Sequence, residues 1–304
     1  MDNNKELNRD FEDYGIDRYR FIKNVNLETR KFHKKLSPYD MCICYIVWDN
    51  FAYCKYAYIS MLSAFKTTDI ENYSKYIILS PSIYNNYNVD KVYSDLGFIV
   101  IKPYKKLYKY NIYDTLDYKY ICTIDSDIFF YGRTTNLFSR IYNCMELFSE
   151  KKPFLTLGRE KMFSTKERLE MVNRRVGDKF PLQVGVDEHT YNSWKINKEW
   201  IANAISVYDT RMFNKEWIEW KTLCEQKEIW DDEYVLLMWL WKNDIPISYF
   251  NIFTGLEVKL FNDDNYNFFE KDWINGRQTT IVHPLYYHTK VHDDMRKFID
   301  YVYE

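Results

Sequence analysis

An α/β protein, with a mostly parallel central sheet flanked by helices, is the fold class the sequence predicts, and three observations predict it. Short apolar runs alternate with segments whose apolar residues recur at helical spacing, as in successive βα units. The runs are continuous, as in Met41-Cys42-Ile43-Cys44-Tyr45-Ile46-Val47, which marks strands buried on both faces. The chain has 304 residues, 46% of them hydrophobic, enough for a large core. With no internal repeat and no low-complexity linker, the economical division is an N-terminal extension over 1–37 and one domain over 38–304.

Taken in order, the extension is dense in charge and ends at Ser37-Pro38. The core opens with a strand over 40–48, and Tyr53, Ala57, Met61, Ala64 and Phe65 then follow helical spacing. Tyr76–Leu79 is a second strand, Val89–Leu96 a helix, Phe98–Ile101 a third strand, and 108–116 a helix-like stretch. Tyr120–Ile124 is the fourth strand. A helix over 134–150, a strand at Phe154–Leu157 and a charged excursion over 161–180 with a helical centre follow. Ile201–Val207 reads as a strand, Asn214–Gln226 and Glu233–Lys242 as helices, Thr279–Val282 as a strand, and Asp293–Tyr303 as a closing helix.

The formal charge of −2 gives no bulk electrostatic case for nucleic acid or an anionic membrane as partner. No apolar signal segment opens the chain and no stretch approaches the ~20 apolar residues of a membrane span, so a cytoplasmic protein is expected. Six cysteines are scattered without a Cys-x-x-Cys pair and read as small buried hydrophobes in a reducing compartment. The tryptophans at 194, 200, 217, 220, 230, 239, 241 and 273 offer stacking surface for sugars, although their helical spacing suits a core equally.

The fourth strand runs into Asp125-Ser126-Asp127 and leaves through Ile128-Phe129-Phe130. It thus delivers two carboxylates, at i and i+2, to a strand end, which is where open α/β sheets bind ligands. Paired acids repel and cost desolvation unless a cation answers them. Magnesium and manganese take one or two carboxylates plus substrate phosphates, so the spacing suits a metal–diphosphate site.

From this point the sequence resembles the nucleotide-sugar glycosyltransferases of the A-type fold, most closely the family 8 group of bacterial galactosyltransferases and glycogenin-like enzymes. Five segments carry the resemblance. Val47-Trp48-Asp49-Asn50-Phe51 is similar to the turn that holds the nucleoside in that family. Asp49 can accept from a base N–H or a ribose hydroxyl, and Phe51 can stack; a helix cap at Asp49-Asn50 with Phe51 in the core accounts for the same residues. Asp125, Ser126 and Asp127 match the Asp-x-Asp segment, which implies Asp127 and Asp125 as metal ligands, Asp125 sharing duty with the ribose. Trp200–Val207 resembles the segment lining the sugar pocket, with Asn203 toward a sugar hydroxyl and Ile205 where the family has glycine. Trp230-Asp231-Asp232-Glu233 resembles the Asp-Gln-Asp segment that opens a helix near the donor sugar. Asp232 stands in the glutamine position, and acids at a helix start are also explained by capping and the helix dipole. Finally, in Thr279–Lys290 the resemblance implies His283 or His288 as a metal ligand and Lys290 on the diphosphate, although Lys290 lies one residue further on than in the family.

The resemblance implies a single A-type domain with a Rossmann-like nucleotide-binding half. It also implies a hexosyltransferase that uses Mn2+ or Mg2+ and a nucleotide diphosphate sugar, a UDP-sugar above all. The acceptor is a hydroxyl on a glycan, protein or small molecule. Asp231, Asp232 and Asn203 are the candidate catalytic residues; retention or inversion at the anomeric carbon stays open. A sugar nucleotidyltransferase is the alternative enzyme, disfavoured because the turn after the first strand has no glycine; a non-catalytic carbohydrate-binding protein on the same fold is the other.

Overall fold

A computed structural model of the chain describes residues 39–48, 51–103, 109–130, 136–159, 164–176, 180–229, 232–249, 257–261 and 279–284. In chain order the elements are β1 (Met41–Val47), α1 (Ala52–Thr67), β2 (Ser74–Leu79), α2 (Asp90–Asp95), β3 (Ile99–Ile101), β4 (Tyr120–Asp125), β5 (Phe129–Phe130) and α3 (Leu137–Phe148). Then come β6 (Phe154–Arg159), α4 (Thr165–Val176), α5 (Glu188–Asn197), β7 (Ile201–Asp209), α6 (Lys215–Gln226), α7 (Asp232–Lys242), β8 (Ile247–Tyr249), β9 (Glu257–Phe261) and β10 (Thr279–Pro284). The expected alternation of strand and helix is present, and most expected elements fall within a few residues of their places. The helix-like stretch over 108–116 is a 3₁₀ segment at Lys109–Asp114. The expected extension over 1–37 and the closing helix at 293–303 lie outside the described residues. Among the described residues no helix is long and apolar enough to cross a membrane.

The chain divides into two compact units, one of Met1–Lys106, Cys122–Asn143 and Leu256–Glu304, the other of Leu107–Ile121 and Cys144–Gly255. In the first, strands run in the order β3-β2-β1-β4. β1 pairs in parallel with β2, Val47 level with Leu79, and β2 pairs in parallel with β3. Every residue of β1 is buried, which is why it reads as one apolar run. A second, three-stranded sheet in this unit has the order β5-β10-β9.

In the second unit the order is β7-β6-β8, with β6 antiparallel to β7 and parallel to β8. Its helices show their start signals. Asn214 Oδ1 accepts the Glu216 and Trp217 N–H groups at 3.0 and 3.2 Å. Ser164 and Glu167 form a reciprocal capping box ahead of α4. The six described tryptophans of the second half, at 194, 200, 217, 220, 239 and 241, are all buried. Trp217 meets Trp239 edge-on at 5.1 Å, Trp200 meets Trp241 at 5.9 Å, and Trp220 Nε1 donates to the Val235 carbonyl at 3.0 Å. They form core, not stacking surface; Trp230 and Trp273 lie outside the described residues. Cys42, Cys44, Cys54, Cys122 and Cys224 are buried free thiols and Cys144 is half-buried, as expected of small hydrophobes.

Candidate functional site

β1 has β2 on one side and β4 on the other, although β2 and β3 come between them in sequence. The order of winding reverses at this place, and in open α/β sheets the crevice beyond such strand ends is where ligands bind. β4 brings its acids here. Tyr120, Ile121, Cys122 and Ile124 are fully buried, so the apolar run anchors the strand and the acids fall at its end. Asp125 is half-buried, Ser126 buried, Asp127 half-buried and Ile128 buried. That two-residue alternation keeps Ser126 and Ile128 inward and puts both carboxylates on the more open side. The Ile128 N–H donates to the Asp125 carbonyl at 3.4 Å, closing the turn.

Beyond the turn, β5 pairs antiparallel with β10, Val282 opposite Phe129 and Ile281 opposite Phe130. His283 is the next residue of β10, so the register carries it toward the acidic turn rather than away from it. On its other side β10 pairs with β9, His283 level with Leu260. Two carboxylates and an imidazole are a donor set suited to Mn2+ or Mg2+, and the backbone pairing is compatible with that set. Among the described residues no group of three or more His, Cys, Asp or Glu side chains gathers in a metal-holding arrangement. His288 and Lys290 lie outside the described residues.

The nucleoside turn is described at its edges. Val47 is fully buried and its carbonyl accepts the Ser80 N–H at 3.0 Å, so its side chain belongs to the core. Trp48 Nε1 is buried and has no hydrogen-bond partner among the described residues. Asp49 and Asn50 lie outside them. Phe51 is half-buried and stacks on Tyr87 at 4.1 Å with 20° between the planes, and Lys55 Nζ stands 5.8 Å from its ring centre. Tyr87 has no counterpart in the sequence reading: it follows β2, and only the parallel pairing of β2 with β1 brings it to Phe51.

In the second unit, Asn203 lies on β7 within an irregularity of the β6–β7 register, between the pairs Gly158–Ala202 and Thr156–Ser206. Ile205, in the place of the family's glycine, is buried and its carbonyl accepts Thr156 Oγ1 at 3.4 Å. Asp232 is the first residue of α7, the position that dipole and capping favour for an acid; Asp231 lies outside the described residues. The next acid, Glu233, accepts the Trp200 indole N–H, which ties the start of α7 to the start of β7.

No family profile matches the chain, and no curated protein matches it. Solved structures do. The chain is similar to an apo structure of the bifunctional glycosyltransferase WbbM, with 12% identity over 88% of this chain and 50% of that one, at a TM-score of 0.48. It is similar to the apo form of the glycosyltransferase GlyE of Streptococcus pneumoniae, with 12% identity over 86% of this chain and 62% of that one, at 0.46. An active-site mutant of LgtC is matched at 8% identity over 86% of this chain and 96% of that one, also at 0.46. The chain thus spans about half the length of WbbM and less than two thirds of GlyE.

Proposed function

We propose that this chain is a metal-dependent glycosyltransferase of the family 8 type, moving a hexose from a UDP-sugar to a hydroxyl acceptor. The observation that carries the reading is the position of Asp125 and Asp127, both half-buried, at and just after the end of the strand next to β1, where the winding of the sheet reverses. The β5–β10 register, which leads His283 toward the same turn, supports it.

In this reading Asp127 and Asp125 hold the divalent cation together with His283 or His288. When bound, the ion neutralises charge that develops on the departing diphosphate. Lys290 supplies a further point charge for the phosphates. The Phe51–Tyr87 pair gives the nucleobase an aromatic face, with Asp49 and Asn50 accepting from and donating to the base or ribose. Asn203 serves a sugar hydroxyl, and Asp231 or Asp232 faces the anomeric carbon or the acceptor. The catalytic domain covers 38–304, and its site of action is the cytoplasm.

The test is a panel of nucleotide sugars with and without Mn2+, scored by release of free nucleoside diphosphate. Uridine donors should turn over only with the metal. A panel in which no donor is consumed above the metal-free level sinks the proposal.

A further inference from the structure

We infer that Ser63 is a positioning residue for the acidic turn, fixing the strand that leaves it through a hydrogen bond to the Phe130 backbone. The inference rests on the reading of Asp125 and Asp127 as metal ligands.

β5 is only two residues long and lies at the edge of the three-stranded sheet, beside β10 alone. An edge strand presents backbone groups that no neighbouring strand satisfies, and where the edge is buried each needs another partner. Phe130 is fully buried, and its N–H donates to Ser63 Oγ at 3.0 Å. The same hydroxyl donates to the Ser60 carbonyl at 2.7 Å, so it is held in place by the helix it belongs to. Ser63 and Ser60 are both 0% exposed. Ser60 Oγ in turn shares a 3.0 Å hydrogen bond with the Tyr45 hydroxyl of β1, and the Ser63 carbonyl accepts Thr67 Oγ1 at 2.8 Å.

Serine is a mediocre residue for a helix interior, and a buried hydroxyl costs free energy unless it is bonded. Here the hydroxyls make a line from β1 through α1 to β5. Phe130 stands three residues after Asp127, about 10 Å along an extended chain, so freedom at Phe130 becomes freedom at the turn. The helix that carries Ser63 begins immediately after Phe51. A single rigid element therefore runs from the aromatic pair to the strand behind the acids.

The experiment titrates full-length protein with Mn2+ in the presence of UDP, following free Mn2+ by paramagnetic resonance, and records thermal unfolding of the same samples. Ser63→Ala should weaken Mn2+ binding by about tenfold, the size typical of removing a group that orients metal ligands. Ser63→Thr, which keeps the hydroxyl, should recover most of that loss. Ser60→Ala, which removes the bond to Tyr45 but leaves the bond to Phe130, should lower the melting temperature without changing Mn2+ affinity. Unchanged Mn2+ affinity in a folded Ser63→Ala protein overturns the inference and leaves the serine a purely structural part. Should that variant fail to fold, Ser63→Cys, which keeps the size and weakens the bond, decides the matter by the same criterion. Wild-type protein that binds no Mn2+, or an Asp127→Ala protein that binds it as well as wild type, removes the metal reading and the inference with it. That outcome is distinct from a failure of Ser63 alone.

Discussion

β4 and β7 each end on an aspartate, Asp125 and Asp209, and the two strand ends differ in how deeply the acid is buried. Asp209 is 2% exposed. Its Oδ1 accepts from the Arg211 backbone N–H at 3.0 Å and from Arg211 Nε at 2.9 Å, and the guanidinium fork closes on Oδ2. Burial works to raise its pKa, but the Arg211 guanidinium, the Arg211 N–H and Ser149 outweigh it and hold the carboxyl below the usual carboxylate range. Asp125 and Asp127 are half-buried, in a turn whose other residues, Ser126 and Ile128, point inward. An acid enclosed with a cation from its own chain finishes a strand. A pair held at i and i+2 on the more open side of a turn is suited to a cation that arrives from solution.

The largest expected effect separates these two kinds of acid by function. Asp127→Ala should abolish Mn2+-dependent UDP binding and turnover in a protein that still folds. A variant that retains both activities would erase the distinction. Next, Asp209→Ala should do the reverse, costing about 2–3 kcal/mol in denaturant unfolding through loss of charge-assisted hydrogen bonds, with Mn2+ affinity intact. The figure stays at this level because Arg211 is itself 60% exposed and regains water when freed. Since folding depresses the Asp209 pKa, its contribution is fully present above the unfolded value near 3.9 and is lost as pH falls through the folded value. The stability gap between wild type and Asp209→Ala should therefore be constant above about pH 5 and shrink below about pH 4; a gap that widens in acid contradicts the ion-pair account.

A smaller effect tests a third aspartate, Asp69, which caps α3 by accepting the Phe138 and Ser139 N–H groups at 2.8 and 3.0 Å. Asp69→Ala should cost about 1 kcal/mol, as loss of a helix cap does, measured by the same unfolding curves. The least effect belongs to the exposed pair Lys119–Glu146, 2.7 Å apart with side chains 32% and 40% exposed. Glu146→Gln should change stability by about 0.5 kcal/mol or less, because solvent screens such pairs.

How much of this was legible depended on whether the information was local. β1, β2, β4 and β7 announce themselves through their own apolar runs, and the two acids are visible because they follow β4 directly. β5 and β8, of two and three residues, exist because of their neighbours, and neither stands out in the sequence as a strand; β9 went unread as well. The helix Glu188–Asn197 was also missed: it buries only Tyr191 and Trp194, too few for a clear period. Its cap, Asp187 accepting the Thr190 N–H at 2.9 Å, was the signal that could have found it. Tyr87 against Phe51, Ser63 against Phe130 and the register of His283 were illegible because each depends on a partner distant in sequence. Asp49, Asn50, Asp231, His288 and Lys290, which the sequence nominates, lie outside the described residues.

The pairing of β5 with β10 has a consequence for biosynthesis. Asp127 leaves the ribosome long before Thr279–Pro284 is made, so the edge beside the acidic turn must wait for a strand contributed from far along the chain. Until that strand docks, β5 is held by parts of the chain made earlier, among them the Ser63 hydroxyl of α1 and the ring of Phe138. A nascent protein stalled before residue 279 would carry both acids yet lack the neighbour that completes their surroundings.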